Sequence, residues 1–217
     1  MSNTLDLKQI ERRAFRSTYQ DGLLDIQMGA IVTAMAFFLY RPANGYSPLN
    51  IIEMVLIFAV VFGLYWIGKK YITIPRLGQV RFGQIRHEKK KTLAIILGVI
   101  VLLQAAVVGL TAAGWANPSL GAKLFGLTAS ADLGRLVVAV VGAFFVGPSM
   151  LVMAYFNDFP RGYYIAVLMA LAVFLMIWIN QPVYPAVIGA LIIIPGVVLL
   201  IRFLLKYPLP NVIEPDE

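Results

Sequence analysis

Six mostly apolar blocks, at 22–40, 51–67, 92–113, 133–156, 163–179 and 186–205, are separated along this chain by shorter polar connections. At a helical rise of about 1.5 Å per residue, a block of about 20 residues covers roughly 30 Å, the thickness of a bilayer's hydrocarbon core. A soluble bundle would need enough further chain to cover six such helices, and 217 residues do not supply it. A β-barrel would show segments of about ten residues with alternating polarity instead. The pattern predicts an all-α polytopic membrane protein with six transmembrane helices, forming one membrane domain over residues 1–217.

The polar connections carry patterns of their own. Ahead of the first block, Leu7, Ile10, Ala14, Phe15 and Tyr19 recur at near-helical spacing, while Lys8, Glu11, Arg12, Arg13 and Arg16 fill much of the remaining circumference. This predicts an N-terminal amphipathic interfacial helix over 1–21, with Asn3 or Thr4 as N-cap and Asp6 in its first turn. The connection at 68–91 reads differently. Residues 71–74 favour an extended chain, 75–78 carry turn chemistry, and 79–86 are extended again, which predicts a short β-hairpin between spans two and three. The outer connection at 114–132 spaces Leu120, Leu124, Phe125 and Leu127 like one face of a short helix.

Charge then orients the spans. Fifteen of the 18 Lys and Arg residues fall on one side: four before the first span, eight at 68–91, then Arg161, Arg202 and Lys206. The other side holds Arg41, Lys123 and Arg135. Positive charge beside span ends resists translocation, so both termini are expected in the cytoplasm, with residues 206–217 as a cytoplasmic tail. Tyr40, Tyr46, Trp115, Trp178 and Tyr184 gather near the expected outer interface, and Trp66, Tyr71, Tyr155, Tyr163, Tyr164 and Tyr207 near the inner one, forming two anchoring belts.

Composition narrows the chemistry further. Hydrophobic residues make up 60% of the chain and charged ones 13%, too little polar surface for an additional soluble domain. With no cysteine, thiolate, disulfide and zinc–thiolate chemistry are excluded. The polar first 20 residues show no cleavable signal peptide, so the first span is expected to act as its own insertion signal. No N-glycosylation acceptor is present, because Asn117 is followed by Pro118. The net charge of +7 is mostly topological, and nucleic-acid binding is not expected from it. A multi-pass protein of a prokaryotic cytoplasmic membrane is the expected setting.

Polar groups within the spans are the buried candidates, since each is costly in hydrocarbon unless paired or hydrated. Asp25 lies near the cytoplasmic end of the first span, one helical turn after Asp21, with Arg161 or Arg86 as expected partner. Glu53 lies near the outer end of the second, with Arg41 or Arg135 as partner. Gln104 is the most central polar side chain, suited to an interhelical hydrogen bond, while Gln27, Thr33 and Asn180 have weaker claims. Pro148 and Pro195 interrupt the fourth and sixth spans, which predicts kinks that either serve packing or line a cavity. Ala139, Ala143 and Gly147 form a small-residue strip for helix packing.

No catalytic constellation is visible. His87 is the only histidine, there is no nucleophile elbow, and no metal or other cofactor is implied. The leading expectation is a non-enzymatic integral membrane protein that binds anionic lipid of the cytoplasmic leaflet, or a protein partner, through its basic cytoplasmic face. The contact candidates are Arg12, Arg13, Arg16, Arg76, Arg81, Arg86, Lys89, Lys90 and Lys91. Alternatives are a transporter or channel, acting as a homo-oligomer, and a lipid-modifying enzyme using Asp25, Asp158 and His87. The plan of cytoplasmic helix, six spans and prominent second connection resembles the membrane subunit of certain ATP-driven exporters, where that loop couples to a separate ATPase. The resemblance is of plan alone, without a diagnostic motif, and the short connection at 180–185 departs from the large outer insertion of such subunits.

Overall fold

A computed structural model of the chain describes residues 19–39, 48–77, 84–116 and 131–208. Among these residues every regular element is a helix: α1 (Leu23–Leu39), α2 (Pro48–Gly68), a π-helical turn (Lys69–Thr73), α3 (Ile74–Leu77), α4 (Gln84–Ala116), α5 (Ala131–Phe156), α6 (Gly162–Ile179) and α7 (Val183–Lys206). Among the described residues, five stretches are long and apolar enough to cross a membrane: Ile52–Leu77, Glu88–Val107, Arg135–Phe156, Gly162–Ile179 and Val183–Lys206. The apolar part of α1, Leu23–Ala36, is shorter than these five. The predicted amphipathic helix, with Arg12, Arg13 and Arg16, lies almost wholly outside the described residues.

The hairpin expected between spans two and three is corrected. Residues 71–74 continue the helix through the π turn into α3, and residues 84–86 open α4, leaving 78–83, with Arg81, outside the described residues. The β-branched run Ile72, Thr73, Ile74 has strand propensity, but it directly follows an apolar helix. Continuing that helix satisfies its backbone within the segment, whereas a lone two-stranded hairpin would leave edge groups unpaired at the membrane boundary.

The chain divides into two compact units, one drawn from Met1–Phe82 with Ala186–Glu217 and the other from Gly83–Pro185. In the first, α1 and α7 pack antiparallel along a glycine seam. A Cβ on Gly29 would lie 2.8 Å from the Gly189 carbonyl oxygen, and one on Gly22 would lie 2.2 Å from that of Gly196. The contact glycines are seven residues apart on both helices. That interval returns to nearly the same helical face, so one narrow stripe on each helix is kept free of side chains. Gly22 has a φ of +73°, a left-handed conformation at which the chain turns into α1 and which a Cβ would disfavour.

The second unit is built around the α5–α6 hairpin. A close turn joins the helices: Phe159 N–H donates to Ala154 O at 2.9 Å, and Asp158 takes a left-handed φ of 49°. Ala139, Gly147, Met150 and Ala154 of α5 are buried, as are Ile165, Ala166, Met169, Ala172 and Val173 of α6. Gly147 lies opposite Ala166 and Ala170, and Gly142 opposite Val173 and Ile177, as the small residues allow. Asn180 ends α6 as a left-handed cap, its N–H donating to Met176 O at 3.1 Å. The 33-residue α4 carries the charged run from Arg86 to Lys91 on its first turns and exposes Ile95, Val99, Leu102 and Leu103 beyond it.

Candidate functional site: a buried Asp–Lys–Thr cluster

Asp21 precedes the left-handed Gly22 and is fully buried, at 0% exposure. Its two carboxylate oxygens do different work. Oδ1 accepts the Leu23 N–H at 3.2 Å, which satisfies a donor that the first turn of α1 cannot use internally. Oδ2 accepts from Lys69 Nζ at 2.6 Å and from Thr73 Oγ1 at 2.5 Å. Thr73 is 4% exposed and the Lys69 side chain 15%, so the ammonium is the most open part of the cluster. Tyr19 and Tyr65 face that ammonium with ring centroids at 5.6 and 5.7 Å. Both distances fall within the range of cation–π attraction.

Local sequence explains how the helix presents these groups. Lys69 and Thr73 are the first and last residues of the π turn, and the Ile74 N–H closes it by donating to Lys69 O, five residues back. Pro75 follows at once; it has no N–H, and its ring crowds the carbonyl four residues earlier, so regular α-helical bonding cannot run through this point. The next residue, Arg76, folds back so that Nη1 donates to Ile72 O at 3.0 Å, a carbonyl of the same turn.

Further buried polar side chains follow along α1, Asp25 in line with Asp21 and Gln27 on a different face. Asp25, one turn further, is also at 0% exposure, and Gln27 is buried. A Cβ built on Gly196 would meet the Asp25 Cβ at 3.0 Å, so Asp25 faces α7 at the glycine that follows Pro195. Gly196 lies ten residues before the end of α7 at Lys206, which is about 15 Å along the helix. Asp25, in the first turn of α1, is thus level with the interior of α7. Thr33 Oγ1 donates to Gly29 O at 3.0 Å and sits against Gly189.

The remaining sequence candidates are dispersed. Lys89, Lys90 and Lys91 are exposed on the first turns of α4, whose backbone also includes Arg86. Glu53 is exposed on α2, and Gln104 and Pro148 are half-buried on α4 and α5. Pro195 is exposed beside the buried Gly196, within the continuous helix α7, so its ring lies away from the α1 contact. Asp21, Lys69 and Thr73 were not among the sequence candidates. The i, i+4 spacing of Lys69 with Thr73 and of Asp21 with Asp25 was visible, but nothing linked the two pairs.

Chemically, the cluster is a buried ion pair with one hydroxyl donor and two aromatic faces. It can hold a cation, orient an ammonium, or lock two helix ends together. Among the described residues, no three His, Cys, Asp or Glu side chains are grouped to hold a metal ion. No protein-family model matches the sequence, and comparisons with curated proteins and with solved structures likewise gave no match.

Proposed function

We propose that this chain is a six-span, non-enzymatic integral membrane protein of a prokaryotic cytoplasmic membrane, with both termini cytoplasmic, which binds anionic lipid headgroups through its basic cytoplasmic face. The observation that carries this reading is the exposed run of Lys89, Lys90 and Lys91 on α4, at the N-terminal end of the apolar stretch Glu88–Val107. A helix holds these ammonium groups at the level where the span meets the headgroups, so they need little ordering to bind phosphate. Each contributes about 1 kcal/mol near an anionic surface, and less as salt rises.

Native mass spectrometry of the detergent-solubilised protein, titrated with phosphatidylglycerol or phosphatidylcholine, tests the reading. Changing Lys89, Lys90 and Lys91 together to Gln is expected to weaken phosphatidylglycerol retention by about 100-fold at low salt, from about 3 kcal/mol in all, and to leave phosphatidylcholine retention unchanged. Equal retention by parent and variant rejects the reading. A second reading, transport, is favoured by the buried carboxylates of Asp21 and Asp25 where α1 packs against Gly196 of α7. Solute flux in proteoliposomes that is lost with Asp25→Asn supports it, and flux indistinguishable from empty liposomes rejects it.

A further inference from the structure

The 17 residues of α1 make about 26 Å of helix, against a hydrocarbon core of about 30 Å. Eight of them are Leu, Ile, Val or Phe. On insertion scales a single carboxylate deep in hydrocarbon offsets about four to twelve such side chains. Asp25 lies in the first turn of α1 and Asp21 two residues ahead of the helix, both at 0% exposure. Hydropathy alone leaves this helix close to balance between the bilayer and the water at its surface.

The contacts that enclose these carboxylates come from elsewhere in the chain. Asp25 packs against Gly196 in the interior of α7, and Asp21 is held by Lys69 and Thr73 beyond the end of α2. Further along the seam, a Cβ on Gly189 would run into Thr33 Oγ1 and the Gly29 carbonyl oxygen. The two helices therefore meet backbone to backbone at both ends of a seven-residue interval, about 10 Å of helix.

We propose that the glycine face of α7 is the docking surface that seats α1 across the membrane, so that α1 is a dependent span, held by α7 and the end of α2 and not by its own hydropathy. In chain order α7 is the last helix, so the first span takes its seat only after the last has been made. This replaces the expectation that the first span is its own insertion signal, and it fits a unit drawn from both ends of the chain. The dependence rests on the six-span reading with a cytoplasmic N-terminus, and on neither lipid binding nor transport.

The chain has no cysteine, so single introduced cysteines report position. Leu39→Cys marks the far end of α1, and Gln181→Cys marks the exposed connection between α6 and α7; the six-span reading puts both outside. Labelling of the full chain by a membrane-impermeant maleimide is compared between intact spheroplasts and membranes opened with detergent. In the parent, both positions are expected to label from outside. Gly189→Leu is expected to lower outside labelling at position 39 by about fivefold or more and to leave position 181 unchanged. Gly98→Leu, the same change on α4 where a Cβ meets nothing within 4 Å, is expected to leave both positions unchanged. Adding Asp25→Leu to Gly189→Leu is expected to restore labelling at position 39, because the apolar helix then needs no shield.

Equal outside labelling of the parent and Gly189→Leu overturns the dependence and leaves the six-span reading standing. Loss at both positions, or an equal loss in Gly98→Leu, reports general misassembly and overturns the assignment to the glycine face. Failure of Asp25→Leu to restore labelling overturns the part given to the carboxylate. A parent that labels at position 39 only after detergent overturns the six-span reading together with the dependence built on it.

Discussion

The α1–α7 pair and the α5–α6 hairpin use the same device, small residues that let two helices approach closely, but for different contents. The hairpin buries alanine, methionine, isoleucine and valine along its length. The four buried polar or charged side chains of the described residues, Asp21, Asp25, Gln27 and Thr73, all belong to the unit containing α1 and α7. Close backbone approach along the buried stripe of the hairpin gains dispersion contact between apolar side chains. Around α1 it also shields carboxylates and requires partners for them. A helix pair that carries only packing tolerates change in proportion to volume, whereas one that carries charge fails when a partner is lost.

The contrast breaks most sharply at the ion pair. Replacing Lys69 with Met leaves the Asp21 carboxylate buried without its ammonium, with an expected loss of about 3 to 5 kcal/mol of stability. Adding Asp21→Asn to that variant is expected to recover a substantial part, since the uncompensated charge is gone. Thermal unfolding in detergent, followed by size-exclusion chromatography, measures both; if the single variant is as stable as the parent, the cluster is not holding α1 to the end of α2. Gly22→Ala should come next. It combines a left-handed backbone, at about 1 to 2 kcal/mol, with a Cβ placed 2.2 Å from Gly196 O, which adds about 1 to 3 kcal/mol of overpacking.

Gly142→Ala in the hairpin marks the small end of the scale. Its Cβ would meet the side-chain ends of Ile177 and Val173 at 3.1 and 3.2 Å, contacts that yield by small rotamer adjustments. Less than about 1 kcal/mol of change is expected. An effect as large as that of Gly22→Ala would erase the distinction drawn between the two helix pairs.

Much of the architecture was legible in the hydropathy pattern. The apolar stretches of α5 to α7 were placed within a few residues, because length and apolarity suffice to define such helices. The stretch containing α2 runs on to Leu77, and that of α4 covers Glu88–Val107 in place of 92–113. Of the small strip Ala139, Ala143 and Gly147, the first and last are buried and Ala143 is half-buried, with Gly147 set against Ala166 and Ala170 of α6. The segment after Gly68 misled, since strand propensity at 71–74 is a local preference overridden once an apolar helix delivers the chain to that point. The glycines of the α1–α7 seam were individually plain, but their pairing depends on which two helices meet and in which sense.

The cluster itself was hidden by distance along the chain. Asp21 and Lys69 stand 48 residues apart, and in sequence Lys69 is one of eight like charges in a connection that looks wholly solvated. Composition and periodicity determined that this protein is helical and membrane-embedded, because solvation in hydrocarbon is a property each segment carries by itself. Only the tertiary structure decided which charge is buried, which lysine it holds and why the helix widens between Lys69 and Thr73. A contact between segments so far apart is set by how closely their backbones pack, and no local stretch of sequence records that.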